Sequence, residues 1–368
     1  MLPFKMQSVI LVGAGFAGIT YWIPAISRSA SFRLVGVIDP DKCACRRAAE
    51  AVPGIWTAIR VDAVSPLDLD KHRAIVFVAT PDHLSVIREF SNHGFRKFIV
   101  EKPLVSSYSE VDELEQCIRR DNLKIYSIDH YYQKFLPLEF VLGRLALKDP
   151  RVQFLEFHGD HRRDEIPGLL GLVEGVSYAN IEAGDLGIPH LDTHPWLEYD
   201  PTIGGMLRDL GPHAFAPLIR TGLTSDEATI MDIGLAKLNT ARDGFTPVRL
   251  PSDIEMWVRA LITWNGITAN VAFGKAPFPG RESSLAVRAA NGIFFASLAS
   301  GQSSILMTND GRTTRLSLCK AQRDLVLEEA IAFFNRKLPA DFDGNLHSSI
   351  SALHFNQRLR TRYLEVIK

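Results

Sequence analysis

The chain is short of several things that whole classes of protein need. Its four cysteines, Cys43, Cys45, Cys117 and Cys319, are too few and too scattered for a disulfide framework in 368 residues. A reducing cytoplasm is the expected setting. Cys43 and Cys45 have the wrong spacing for a zinc knuckle and no second pair follows, so they read as small helix residues, and no metal is expected. No run of 18 apolar residues is present to cross a bilayer. Neither sign of charge is in excess, since 41 Lys+Arg face 42 Asp+Glu for a net −1, and nothing draws the whole chain to nucleic acid or anionic lipid. Nucleic-acid and membrane roles are therefore not expected. The opening MLPFKMQSVILVGAG runs a short apolar stretch straight into glycines, without a small-residue cleavage site, and reads as a strand rather than a signal. Internal repeats and low-complexity segments are also missing.

What is present is ordinary globular material, 46% hydrophobic and 23% charged. At about 150 residues per domain the length favours two domains. Residues 1–128 alternate short apolar β-branched runs with helical patterns, which predicts a doubly wound α/β domain around a parallel sheet. Its strands are expected at Ser8–Val12, Leu34–Ile38, weakly near Trp56–Val61, and at Ala74–Ala79, Lys97–Val100 and Lys124–Ile128. Helices are expected at His83–Asn92 and Ser109–Arg120. After Asp129 the strand candidates alternate, as in an antiparallel sheet with one covered face, so residues 129–368 are expected to form an α+β domain. Helices are expected at Phe135–Leu147, Gly205–Thr221 and Asp324–Arg336, and Gly159–Gly204 reads as a long loop or a stack of turns.

The chemistry starts at Gly13-Ala-Gly15-Phe16-Ala17-Gly18, placed directly after a strand and before a helix. In that context Gly13 permits a tight turn, Gly15 lets a pyrophosphate approach the main chain, and Gly18 lets the helix pack on the sheet. Phe16 and Ala17 would offer helix-start amides to the phosphates. Asp39, at the end of Leu34-Val-Gly-Val-Ile-Asp39, stands where a carboxylate accepts from a ribose diol and repels a 2′-phosphate. NAD(H) is thus favoured, with NADP(H) kept open by Arg46 and Arg47 nearby.

Two more segments bear the same stamp: Glu101-Lys102-Pro103 after the fifth strand, and Gly204-Gly-Met-Leu-Arg208-Asp209-Leu-Gly-Pro-His213 further on. With the glycine loop they make the chain resemble the Gfo/Idh/MocA oxidoreductases along essentially its full length. That resemblance implies a Rossmann domain followed by an α+β domain with a large, open, mostly antiparallel sheet that forms a homodimer or homotetramer interface. It also implies a cis Lys102–Pro103 bond aiming Lys102 at the nicotinamide, with Glu101 beside the cofactor. Thr80, Pro81 and His83 resemble the family's nicotinamide-side loop. His213 would be the proton donor or acceptor, Asp209 would orient it or bind substrate, and Arg208 would contact substrate. Relatives often carry an aspartate where this chain has Ala216.

Asp209 and His213 are four apart and share a face if the helix is continuous, whereas Pro212 allows a new helix to start after Gly211 with Asp209 on the preceding loop. Asp129-His130-Tyr131-Tyr132-Gln133-Lys134 resembles the Asp-His-Tyr-x-x-Lys segment of glucose-6-phosphate dehydrogenases. His130, Tyr131 and Lys134 would then meet an anionic sugar derivative, and the alternative is an interdomain hinge with a solvated lysine. His158, His161, His190, Asp192 and His194 supply no helix-borne ligand pair. Together these features lead to an expected NAD(P)-dependent dehydrogenase or reductase acting on a secondary alcohol or ketone of a sugar, cyclitol or sugar derivative. The alternatives are a non-catalytic nicotinamide-binding regulator, or a hydrolase or isomerase with tightly bound NAD.

Overall fold

In the computed structural model the described residues are 6–64, 69–79, 82–128, 132–183, 205–222, 227–239, 244–250, 252–276, 282–297, 303–340 and 342–367. They fall into two compact units, one made of Met1–His130 with Arg323–His347, the other of Tyr131–Gln322 with Ser348–Lys368.

The first unit is the expected Rossmann fold. Its strands are β1 (Gln7–Val12), β2 (Phe32–Ile38), β3 (Trp56–Ala58), β4 (Ile75–Val78), β5 (Lys97–Val100) and β6 (Lys124–Ser127). They lie in the order β3-β2-β1-β4-β5-β6 and every neighbouring pair is parallel. The central residues Ile10, Leu11, Ile75, Val76, Phe77, Phe98, Ile99 and Val100 are fully buried, because helices cover both faces. Each such side chain contributes about 1.5–3 kcal/mol relative to exposure.

Helices α1 (Ile23–Arg28) and α2 (Lys42–Ala51) follow strands that wind one way across the sheet, and α3 (His83–Asn92) and α4 (Val111–Asp121) follow strands that wind the other. Right-handed crossovers therefore put the two pairs on opposite faces. That leaves the α1 face uncovered beside β5 and β6. A segment near the end of the chain fills the gap, which corrects the expectation that all of 129–368 belongs to the second domain. The Phe333 ring centre lies 6.2 Å from that of Tyr126, the Lys97 ammonium sits 6.0 Å over the Phe334 ring, and Asp324 pairs with Arg28 at 2.9 Å. The edge of β6 is closed as well, with Ser127 N–H donating to the Gly344 carbonyl at 2.8 Å and the Asn345 amide donating to the Ser127 carbonyl at 3.2 Å.

The second unit is built on one sheet. After α5 (Tyr132–Val141) come β7 (Leu155–Gly159), β8 (Val173–Ala183), the short α6 (Met206–Asp209), α7 (Gly211–Arg220), β9 (Thr229–Asn239), β10 (Gly244–Pro247), β11 (Trp257–Trp264) and β12 (Ile267–Ala276). Next are β13 (Glu282–Ala289), β14 (Phe294–Ser297), β15 (Ser303–Met307), β16 (Thr313–Leu318), α8 (Gln322–Phe334, of which all but Gln322 belongs to the first unit) and α9 (Leu346–Val366). The strand order is β10-β9-β11-β12-β8-β13-β14-β15-β16-β7, antiparallel throughout except for the β12–β8 pair. The expected loop over Gly159–Gly204 is corrected here, since Val173–Ala183 is a strand at the centre of this sheet.

One face is apolar and covered. Val258, Ala260, Ile262 and Trp264 of β11 alternate with Ala269, Val271 and Phe273 of β12 at 2% exposure or less. Phe215 of α7 packs there, 6.0 Å from Phe273 and 4.6 Å from Phe355 of α9 between ring centres. The opposite face carries the Arg259–Asp232 pair at 2.9 Å together with exposed Met231 and Leu261. No helix among the described residues is long and apolar enough to cross a membrane.

Candidate active site

The glycine loop is shaped by what each glycine must avoid. Gly13 has φ 96°, a region side chains rarely adopt, and its N–H donates to the Ile38 carbonyl at 2.9 Å. A Cβ on Gly18 would stand 2.4 Å from the Gly13 carbonyl oxygen, so only a hydrogen fits where helix meets loop. A Cβ on Gly15 would meet nothing within 4 Å. The open space is thus at the middle glycine, where a pyrophosphate would rest, and the residues present fit a dinucleotide. Phe16 and Ala17 open the helix behind the loop, and the Phe16 ring meets Tyr21 edge-on at 5.4 Å. A π turn, Gly18–Trp22, follows them in that helix. Pro24 has no N–H for the Thr20 carbonyl, and the next bond upstream runs from Ile23 N–H to the Gly18 carbonyl.

Asp39 is built into this cradle. Its Oδ2 accepts the Ala14 N–H at 2.7 Å and its Oδ1 accepts the Asp41 N–H at 2.8 Å, and the residue is 8% exposed. A carboxylate offers about four lone-pair sites, so two amide donors leave capacity for a diol.

Lys102 follows β5, at the same carboxyl edge of the parallel sheet as the cradle. The Lys102–Pro103 bond is cis, as the resemblance implied. Anchors lie on both sides of the lysine. Glu101, 6% exposed, accepts the indole N–H of buried Trp22 on Oε1 at 2.5 Å and the Lys102 N–H on Oε2 at 3.0 Å. His83, 2% exposed at the start of α3, contacts the Pro103 carbonyl through Nδ1 at 2.6 Å. A carbonyl can only accept, so Nδ1 carries the hydrogen. Glu101 and His83 thus brace the loop that presents Lys102. Trp22→Phe removes one donor from a buried carboxylate and should lower stability by about 1–3 kcal/mol, read by urea denaturation, with a fall in turnover; unchanged values for both would refute the brace.

In the second unit Asp209 and His213 sit on two abutting helices, α6 and α7, linked by Leu210 in helical conformation. Pro212 occupies the first turn of α7, as one of the two sequence readings had it, and Asp209 ends a short helix rather than lying in a loop. His213 is 5% exposed and Arg208 is half-buried. The start of this segment is fixed from behind. Gly205 has φ 93°, and a Cβ there would fall 2.4 Å from Oε1 of Glu255. Glu255, 3% exposed, accepts the Leu207 N–H on that oxygen at 3.2 Å and an Arg360 N–H on the other, while its carbonyl accepts the Met206 N–H at 2.9 Å. Burial pushes the Glu255 carboxyl up from its ordinary range against the opposing pull of the Arg360 charge and the amide donors. Asn356 of α9 fills the place a Gly211 side chain would take, 2.3 Å from the Cβ position.

Residues 7–130 match the family model described as "Oxidoreductase family, NAD-binding Rossmann fold". Residues 7–130 are a Gfo/Idh/MocA oxidoreductase domain. A protein of Amycolatopsis mediterranei (strain S699), named "Putative UDP-kanosamine synthase oxidoreductase subunit", is 33% identical over 226 residues, 59% of this chain and 55% of that protein. This chain therefore spans about half the length of that curated relative. Among solved structures, the open conformation of KijD10, a 3-ketoreductase from Actinomadura kijaniata in complex with TDP-benzene and NADP, superposes with a TM-score of 0.69 at 14% identity, over 97% of this chain and 98% of that one. The UDP-N-acetylglucosamine 3-dehydrogenase GnnA from Acidithiobacillus ferrooxidans gives 0.67 at 16% identity, over 99% and 100%. These likenesses show a shared fold.

Several expected site residues lie outside the described residues: Thr80, Pro81, His130 and Tyr131, the side chain of Lys134, and the loop histidines His190 and His194. His161 is buried, with Nδ1 2.8 Å from the Thr314 hydroxyl, and His158 is exposed. Among the described residues no group of three or more His, Cys, Asp or Glu could hold a metal. Sequence reasoning missed Trp22, Glu255, Arg360 and Asn356. Their partners are remote in sequence, 79 residues away for Trp22 and 105 for Arg360, so no local spacing reveals them.

Proposed function

We propose that this protein is an oxidoreductase that interconverts a secondary alcohol and a ketone on a sugar, cyclitol or sugar derivative, with NAD(H) as the favoured dinucleotide. The observation that carries the reading is a lysine braced on both sides at the carboxyl edge of the sheet that also bears an open glycine cradle. Gly13, Gly15, Phe16, Ala17 and Gly18 would hold the pyrophosphate and Asp39 the ribose diol, with Thr80, Pro81 and His83 beside the nicotinamide; when bound, the nicotinamide accepts or gives hydride. Lys102 donates a hydrogen bond to the substrate oxygen and stabilises alkoxide character there. His213 takes up or returns the hydroxyl proton, and Asp209 orients it. Arg208, His130, Tyr131 and Lys134 are proposed substrate contacts. The sugar class is supported by the names of the Amycolatopsis relative and of the two structural neighbours. A homodimer or homotetramer through the open face of the ten-stranded sheet, and a cytoplasmic setting, complete the proposal.

Absorbance at the reduced-nicotinamide band, followed with NAD(H) and NADP(H) against a panel of polyols, keto-sugars and sugar nucleotides, tests it. A change on at least one substrate, faster with NAD(H), is expected. Stoichiometric dinucleotide binding without redox change on any of them would favour a regulator. Cofactor retained through purification, with turnover but no net absorbance change, would favour a hydrolase or isomerase.

A further inference from the structure

The covered face of the second unit's sheet changes character along its length. On β12 the inward row runs Ile267, Ala269, Val271, Phe273, all apolar and buried, and then reaches Lys275, only 5% exposed. Beside it on β8 the inward row runs Val176, Tyr178 and then Asn180, the last fully buried and in register with Phe273. Ser283 of β13 stands in register with Asn180. The apolar face thus turns polar at one end.

That end adjoins the segment bearing Asp209 and His213. Met206, the first residue of α6, donates its N–H to the Glu255 carbonyl, and the next carbonyl, that of Met256, accepts the Lys275 N–H at 3.0 Å. Phe273, two positions before Lys275 on the same row, touches Phe215 of α7. The lysine is therefore set into the sheet beneath the helices that carry the second unit's chemistry.

A lysine can bury its apolar stem while its ammonium stays accessible to solvent or to an anion. The Lys275 stem is buried, and its amine, with no hydrogen-bond or ion-pair partner among the described residues, is left accessible at this polar end. We propose that Lys275 binds an anionic group of the substrate, a carboxylate or a phosphoryl oxygen. This rests on the sugar-oxidoreductase reading and narrows it to acidic or phosphorylated sugars. The competing role is internal, since Glu182 stands opposite Lys275 in the parallel register of β8.

Calorimetric titration of the full chain with glucose 6-phosphate, glucuronate and glucose, repeated on Lys275→Met and Lys275→Arg, decides between them. Wild type should bind one anionic sugar at least about tenfold more tightly than glucose, a difference that Lys275→Met abolishes and Lys275→Arg keeps in part. Which of the two acids binds tells phosphoryl from carboxylate. Equal binding of charged and neutral sugars by wild type, or an anion affinity untouched in Lys275→Met, overturns the proposal, and so does Glu182→Gln removing as much fold stability as Lys275→Met with anion binding unchanged in both. Should Lys275→Met fail to fold by circular dichroism, Lys275→Gln replaces it under the same criteria. Dinucleotide binding, measured in parallel, separates the two readings. Anion discrimination without redox activity on any substrate sinks the oxidoreductase reaction alone, whereas turnover of a neutral sugar without discrimination sinks the lysine's role alone.

Discussion

Lys102→Met should lower turnover by roughly 100- to 10,000-fold while leaving the dissociation constant for NADH unchanged. Methionine keeps the length and most of the apolar stem of lysine and removes only the ammonium. The backbone beside it is held by contacts that the substitution does not touch: Glu101 to the Lys102 N–H and to Trp22, and His83 to the Pro103 carbonyl. The cradle of Gly13, Gly15 and Gly18 rests on β1 and on Asp39, two strands away from β5 in the sheet. The loss should therefore appear equally in kcat and kcat/KM, the signature of an interaction made in the transition state only. Single-turnover kinetics with calorimetric binding of NADH would measure both. If cofactor affinity fell as much as turnover, Lys102 would be a binding residue and not the group that stabilises the substrate oxygen.

Arg360→Met should destabilise the second unit by about 3 kcal/mol, the low end for breaking a buried ion pair, because the Arg360 side chain keeps 25% exposure while that of Glu255 keeps 4%. The sign of the pH dependence follows from Glu255. Its carboxyl titrates higher in the folded chain than in the unfolded one, so between the two values the folded state holds the extra proton. Stability from this group therefore falls as pH rises through that window and recovers as pH drops. Without Arg360 the upward push is stronger, so the deficit of the variant should be largest at neutral pH and shrink on acidification. Urea denaturation of both proteins at several pH values would show it. A deficit that grows toward acid pH would mean that Glu255 is not the group left unpaired. Because Glu255 also accepts from Leu207 N–H and abuts Gly205, the same variant should lose activity before it loses its fold.

The parts legible in the sequence were those whose cause is local. The helix His83–Asn92 was read with the same bounds the structure gives it, and its amphipathic spacing is contained within its own residues. Gly13, Gly15 and Gly18 were read correctly as a turn, an opening and a packing point, because strand, loop and helix follow one another without interruption. The strand Val173–Ala183 escaped notice since its inward row passes from Val176 and Tyr178 to Asn180, which breaks the apolar alternation. The helix Leu346–Val366 was missed for a similar reason, with Asn356 buried among Leu353, Phe355 and Leu359. The short strand Thr313–Leu318 owes its place to pairing with neighbours on both sides rather than to its own Thr- and Ser-rich composition. Where a role depends on a partner far along the chain, as Glu101 depends on Trp22, only the folded molecule displays it.

The return of residues 323–347 to the first unit sets an order of events during synthesis. Six strands emerge from the ribosome early, yet Tyr126 and the edge at Ser127 wait for Phe333, Gly344 and Asn345, which are translated only after nearly the whole second unit. The nascent nucleotide-binding half must stay soluble with one flank bare for that interval, and a fragment cut at residue 130 would keep that flank bare for good.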